Sequence, residues 1–141
     1  MKYHFKVHKE GKYFWAQCIE LEGCFTQGDS MEELHKNMEE ALNLYVYEPA
    51  NSKELAALPD DSIKTSKYVV EVALEPEIAF SFMVRYHRIQ NKLTQQQAAK
   101  KLGFKNVYSY QRLEKKCNAT LDMIAKVKEL FPSFSIDRAF A

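Results

Sequence analysis

The sequence predicts an α+β chain built from two modules: a small sheet domain over residues 1–75 and an all-helical domain over residues 76–141. Three observations carry this. Apolar and polar residues alternate through residues 2–9, 12–19 and 67–74, the period of a half-buried strand. From Pro76 onward the apolar residues recur at three- and four-residue steps, the period of a helix. The charge divides at the same place. Residues 1–75 hold 8 Lys/Arg against 14 Asp/Glu, a net of −6, while residues 76–141 hold 12 against 5, a net of +7. The overall +1 hides two modules suited to different partners.

The elements follow in order. Residues 2–9 form a strand with Tyr3, Phe5 and Val7 on one face, and Glu10-Gly11 turns the chain. Residues 12–19 form a second strand, with Tyr13, Trp15, Gln17 and Ile19 opposite Phe14, Ala16 and Cys18. Leu21-Glu22-Gly23 is a turn and Cys24–Gln27 a short third strand. Ser30, with Glu33 three residues later, has the spacing of a capping box. It opens a helix over Met31–Tyr47 whose stripe is Met31, Leu34, Met38, Leu42 and Tyr45. Residues 48–66 read as an irregular loop with a short helical turn at Lys53–Leu58. Lys67–Leu74 is a fourth strand, with Tyr68, Val70, Val72 and Leu74 on one face. Three strands, a helix and a strand pack as one sheet beneath one helix.

After the boundary at Glu75-Pro76 the periodicity predicts a helix over Glu77–Gln90, with Ile78, Phe82, Met83, Tyr86 and Ile89 inward. Thr94 caps a short helix over Gln95–Lys101, and Leu102-Gly103 ends it. Asn106 caps a third helix reaching Lys116. Thr120 caps a fourth, with Leu121, Ile124, Val127 and Leu130 inward, and Ser135–Phe140 adds a last turn.

Composition excludes several classes. No apolar run approaches the roughly 18 residues that span a bilayer, so no membrane partner is expected. The opening Met1–Lys9 alternates and lacks the pattern of a secretory signal. Cys18, Cys24 and Cys117 are odd in number with no C-x-x-C pair, which predicts neither disulfide framework nor zinc site. His4 and His8 share a strand face without a third ligand. No metal or other cofactor is expected, and the location is expected to be cytoplasmic.

The stretch Leu93-Thr94-Gln95-Gln96-Gln97-Ala98-Ala99-Lys100-Lys101-Leu102-Gly103 has the parts of two short helices crossing at one turn. Ala98 is small enough for close approach, and Gly103 suits a left-handed turn. Leu102, Phe104, Tyr110 and Leu113 seal the underside. This Leu-Thr-Gln…Ala…Leu-Gly pattern, over Arg88 to about Leu130, resembles the helix-turn-helix of the Cro and lambda-repressor class. Between Gly103 and Glu114 it holds one residue more than that class. The resemblance implies that the third helix enters the major groove of double-stranded DNA. Asn106, Tyr108, Ser109 and Gln111 are then the candidates for base contacts. Gln95, Lys105, Arg112 and Lys115 are the candidates for phosphates, with Thr94 and Gln95 at a helix start that favours an anion. Such operators are read by dimers, so a homodimer or higher even oligomer is expected.

Residues 18–34 contain Leu21, Gly23, Cys24, Thr26, Gly28, Asp29 and Ser30, followed by the Glu-rich helix. This resembles the Leu-x-Gly-Cys…Thr-x-Gly-Asp-Ser/Thr signature of HicB-type antitoxins, whose sheet-plus-helix domain is a partial ribonuclease-H-like fold. The residues themselves read as structural. Gly23 and Gly28 allow turns, Asp29 and Ser30 accept hydrogen bonds at the helix start, and Cys24 is a small buried residue. No convergent set of carboxylates is evident, so catalysis is not expected. The resemblance implies that residues 1–75 bind a small basic HicA-like ribonuclease toxin. Glu32, Glu33, Glu39 and Glu40 are the candidate contacts. Two readings remain open: an antitoxin that also represses its own operon, and a free-standing transcriptional regulator whose first module senses a ligand or dimerises.

Overall fold

A computed structural model describes residues 1–47 and 53–141. The chain is mixed α+β, and among the described residues it has a four-stranded antiparallel sheet and six helices. It divides into two compact units. One holds Met1–Val46 and Ala56–Leu74; the other holds Glu75–Ala141, to which the described parts of Tyr47–Leu55 belong. No helix among the described residues is long and apolar enough to cross a membrane.

The first unit contains β1 (Lys2–Glu10), β2 (Tyr13–Cys18), β3 (Phe25–Gly28), α1 (Met31–Tyr47) and β4 (Val69–Ala73). The sheet order is β3-β2-β1-β4, so the long β1 is central and β3 and β4 are edges. Register places Phe5 opposite Cys18 and Val7 opposite Ala16, and these four are buried together with Tyr3 and Val72. The core lies on this face. Ser30 Oγ accepts from the Glu33 N–H at 3.1 Å, and the Glu33 carboxylate accepts from the Asp29 N–H at 3.0 Å, fixing the start of α1. Leu34, Met38, Leu42 and Val46 then fall at steps of four and are buried.

Two members of the expected stripe lie elsewhere. Met31 sits in the first turn and is exposed, and Tyr45 turns its hydroxyl outward to donate to the Glu22 carbonyl at 2.9 Å. Steps of four rotate the buried line past position 45 to Val46. Gly28 has a different use from the expected turn. A Cβ there would lie 2.7 Å from the Leu34 nitrogen, so only glycine lets β3 end against the first turn of α1.

The connection to β4 has no helical turn over the expected Lys53–Leu58; only Lys53 is in a turn. The part of that loop over residues 48–52 lies outside the described residues. Half-buried Leu55, Leu58 and Ile63 and a set of hydrogen bonds hold the remainder. Tyr3 donates its hydroxyl to the Ala57 carbonyl at 2.8 Å, and the Asp60 N–H donates to Glu20 at 3.1 Å. Glu20 itself is buried against His4, with Nδ1 to Oε2 at 2.8 Å. Tyr68, expected on the inner face, precedes the strand and is exposed, whereas Val72 and Leu74 are buried.

The second unit contains α2 (Pro76–Gln90), α3 (Gln95–Lys101), α4 (Val107–Leu113), α5 (Leu121–Leu130) and α6 (Ile136–Phe140). Pro76 at the first helical position gives up only an N–H that has no helical partner. The buried surface of α2 extends well beyond one stripe: Ile78 to Arg85, His87 and Arg88 are all buried. Tyr86 and Ile89, expected inward, are half-buried. A helix buried nearly all round is a central helix. Phe80, His87, Phe131 and Phe134 form an aromatic cluster at its side, with ring centroids 5.6–5.9 Å apart.

On α5 only Val127 is fully buried. Ile124 and Leu130 are half-buried, and Leu121 is 83% exposed, a correction to the expected inward set. Leu121 is the first residue of its helix, where the apolar pattern does not yet fix a face.

Candidate nucleic-acid interface

The candidate interface is built on α3, the turn after it, and α4. Thr94 Oγ1 accepts from the Gln97 N–H at 3.1 Å, and the Gln97 side chain accepts from the Thr94 N–H at 2.9 Å. This reciprocal cap fixes where α3 begins. Its end is fixed by Gly103 at φ +82°, a conformation that costs an ordinary residue about 1 kcal/mol or more. The Phe104 N–H returns to the Ala99 carbonyl at 2.9 Å, closing the turn. Ala98, Ala99, Leu102, Tyr110 and Leu113 are buried beneath it, and Phe104 lies half-buried with its edge toward Tyr110.

Asn106 caps α4: its Oδ1 accepts from the Ser109 N–H at 2.9 Å. That bond commits the amide oxygen to the cap and leaves the amide N–H groups as its remaining donors. The outward groups of this segment are Lys105, Tyr108, Arg112 and Lys115, with Tyr108 73% exposed. Tyr108 and Arg112 are four residues apart and share a helix face. Ser109 and Gln111 are half-buried.

Gln95 and Gln111 are brought together. The Gln111 amide donates to Gln95 Oε1 at 3.0 Å, and Gln95 in turn donates to Glu114 Oε1 at 3.2 Å. Behind them lies an ion pair that the sequence reading did not anticipate. Arg88 of α2 grips Glu114 through Nε at 2.6 Å and Nη2 at 3.1 Å, and donates through Nη1 to the Leu93 carbonyl at 3.0 Å. Both side chains are buried, and Tyr110 also donates its hydroxyl to Glu114. Burial, then the Glu114 charge, hold the Tyr110 hydroxyl far above its ordinary range, so it stays a donor. One carboxylate therefore ties three helices together. A lone acidic residue at 114, among Arg112, Lys115 and Lys116, was the available signal.

The same pull explains why α4 ends at Leu113 and not at Lys116. Glu114 turns into the interior, and the chain after it leaves the helix axis. Lys116 goes to Glu75 at 2.7 Å, whose carboxylate raises the lysine above its ordinary pKa.

The acidic candidates on α1 are all exposed. Glu33 serves the helix cap, Glu39 lies 3.3 Å from His35, and Glu32 and Glu40 are exposed on the same helix. Cys24 is buried beside Cys18, and all three cysteines are free thiols. Among the described residues, no group of three or more His, Cys, Asp or Glu side chains is arranged to hold a metal. No family model matches the sequence. It has no significant match among curated proteins.

Proposed function

We propose that the chain is a HicB-like antitoxin that binds double-stranded DNA through a helix-turn-helix in residues 76–141. In this reading it represses its own operon as a homodimer or higher even oligomer and neutralises a small basic ribonuclease toxin through residues 1–75. The observation that carries the DNA-binding part is the exposed set Tyr108 and Arg112 on one face of α4 with Lys105 and Lys115 just beyond its two ends, over a buried polar network. A short helix with cations at both ends and an aromatic amphipathic ring between them suits a groove flanked by phosphates. The capped α3 and the glycine turn hold that helix at a fixed angle. The toxin-binding part rests on the resemblance of residues 18–34 and on the net −6 of residues 1–75, which would speed encounter with a basic partner. The chain has no catalytic role in this reading.

The test is a gel shift with the chain's own promoter across a salt series, together with co-expression of the neighbouring reading frame. The expected results are operator binding that weakens steeply with salt and a stable complex with a small basic protein. Operator binding without such a complex would favour a free-standing regulator. Failure to bind the promoter at low salt would sink the proposal, and RNA cleavage by the purified chain would overturn its non-catalytic part.

A further inference from the structure

Cys18 ends β2, and Cys24 directly precedes β3. The register pairs Ala16 with Thr26 and Gln17 with Phe25, so one step further it sets Cys18 opposite Cys24. A backbone bond joins the two: the Cys18 N–H donates to the Cys24 carbonyl at 2.8 Å. Alternation puts both side chains on the core face with Ala16, and both are buried, at 6% and 3% exposure. Opposed residues of a hydrogen-bonded antiparallel pair stand about 5.5 Å apart at Cα. Disulfides bridge Cα atoms about 4.4–6.8 Å apart. The two free thiols thus have the spacing of a cross-strand bridge.

Their surroundings give the sulfurs different characters. Cys24 accepts a hydrogen bond from the Cys18 thiol, which lowers its pKa below the ordinary thiol range against the opposing effect of burial. The same bond, then burial, raises Cys18. Glu20 Oε1 lies 3.8 Å from Cys18 Sγ. A thiolate is the form that reacts with an oxidant, and an adjacent thiol resolves the product. The backbone leaves room for the approach. Cys24 turns its own N–H to the Leu21 carbonyl at 3.2 Å, away from the strand ladder. β3 is an edge strand of four residues, and Gly23 and Phe25 on either side of Cys24 are exposed. A short edge opens locally at small cost and admits a small oxidant.

We propose that Cys18 and Cys24 are a peroxide-sensitive dithiol that closes reversibly to an intramolecular disulfide. The Cys24 thiolate attacks a peroxide oxygen and the O–O bond breaks. The departing hydroxide takes up the proton that Cys24 had released and leaves as water. The Cys18 sulfur then attacks the Cys24 sulfenic acid, and its proton passes by way of Glu20 to the departing hydroxyl. A second water leaves and the S–S bond remains. The two thiols lose two electrons and one peroxide gains them. The bridge ties the start of the edge strand to β2 and closes the turn Ile19–Gly23 into a ring. Excess thiol reopens it by exchange.

The experiment exposes the full-length protein to hydrogen peroxide, removes the excess with catalase and alkylates free thiols in denaturant. Unreduced peptides are then mapped by mass spectrometry. The expected product is a linked Cys18–Cys24 peptide pair, two hydrogens lighter than the reduced pair, from monomeric protein. Dithiothreitol should restore both thiols to alkylation. Cys24→Ala should leave Cys18 alkylatable after the same exposure, because Cys18 is the resolving thiol and not the attacking one. Both thiols still alkylatable in the parent chain would overturn the proposal. So would bridges to Cys117 or between chains in place of the expected pair, or oxidation of Cys18 in the Cys24→Ala chain as fast as in the parent. Should Cys24→Ala fail to fold, the linked pair in the parent chain decides alone.

Discussion

Replacing Glu114 by Ala should unfold most of the helical unit. Glu114 accepts from Arg88, Tyr110 and Gln95, and it is 3% exposed. Removing it leaves a buried guanidinium without its counter-charge, which typically costs about 3–5 kcal/mol. The Tyr110 hydroxyl also loses its acceptor in the interior, a further loss of about 1–3 kcal/mol if no water replaces it. Small domains have stabilities of about 5–15 kcal/mol, so the variant should be marginal or unfolded. The carboxylate carries the charge, so Glu114→Gln should fall between the two. The triple change Arg88→Met, Glu114→Leu, Tyr110→Phe removes the buried ion pair and the hydroxyl together, leaving the half-buried Gln95 amide, the Leu93 carbonyl and the buried Arg85 in place, and should recover part of the stability. Urea titrations read by far-UV circular dichroism follow the helical unit, while Trp15 fluorescence follows the sheet unit separately. A Glu114→Ala midpoint within about 1 kcal/mol of the parent, or a triple variant no better than Glu114→Ala, would refute the reasoning.

Five further expectations follow from particular contacts. His87 has its pKa lowered below the ordinary 6.5 by burial, then by Arg138 and Lys128. The unfolded chain therefore binds more protons than the folded one between that lowered value and 6.5, so stability is full above pH 6.5 and falls as the pH drops through the window. Thermal melts across that range should show a shallower acid loss for His87→Phe than for the parent; parallel curves would contradict this. Gly28→Ala should lower stability by about 1–3 kcal/mol because β3 and α1 must separate, and a neutral melt would remove the close approach from the argument. Val127→Ala should cost about 2 kcal/mol while Leu121→Ala stays within about 0.5 kcal/mol; equal effects would return Leu121 to the core. Asn106→Ala should lower stability by about 1 kcal/mol as well as operator binding, whereas Asn106→Asp should keep the cap. In gel shifts, Arg112→Ala should weaken binding to all duplexes and reduce the salt slope, and a Tyr108→Ala variant with unchanged operator preference would remove Tyr108 from the reading face.

Where local chemistry decided the outcome, the sequence was sufficient. The bounds Met31–Tyr47 and Gln95–Lys101 follow from a capping oxygen at one end and apolar period along the length, both visible in the chain itself. The sheet strands were likewise legible from alternation at Tyr3, Phe5 and Val7 and at Ala16 and Cys18. The failures share one cause. The early end of α4 depends on Glu114 reaching Arg88, 26 residues away in sequence. The pairing of Gln95 with Gln111 depends on the crossing of two helices. The outward turn of Leu121 depends on what lies beside the first turn of α5. None of these is encoded in spacing. Among the candidate DNA contacts, the cations and Tyr108 were readable because exposure follows from charge and from helix face. The fates of Asn106 and Gln111 were not, because amides serve equally well as caps, as tertiary links and as readers.

The hydrogen bond from Asn37 to β3 has a consequence for solution behaviour. β3 is an edge of four uncharged residues, Phe25-Thr26-Gln27-Gly28, without the lysine or proline that usually deters edge-to-edge association. The Asn37 amide donates to the Gln27 carbonyl at 2.8 Å, and that acceptor is thereby plugged. A side chain from the helix thus stands guard over the rim of the sheet. Its loss would free that carbonyl to pair with a strand of another chain.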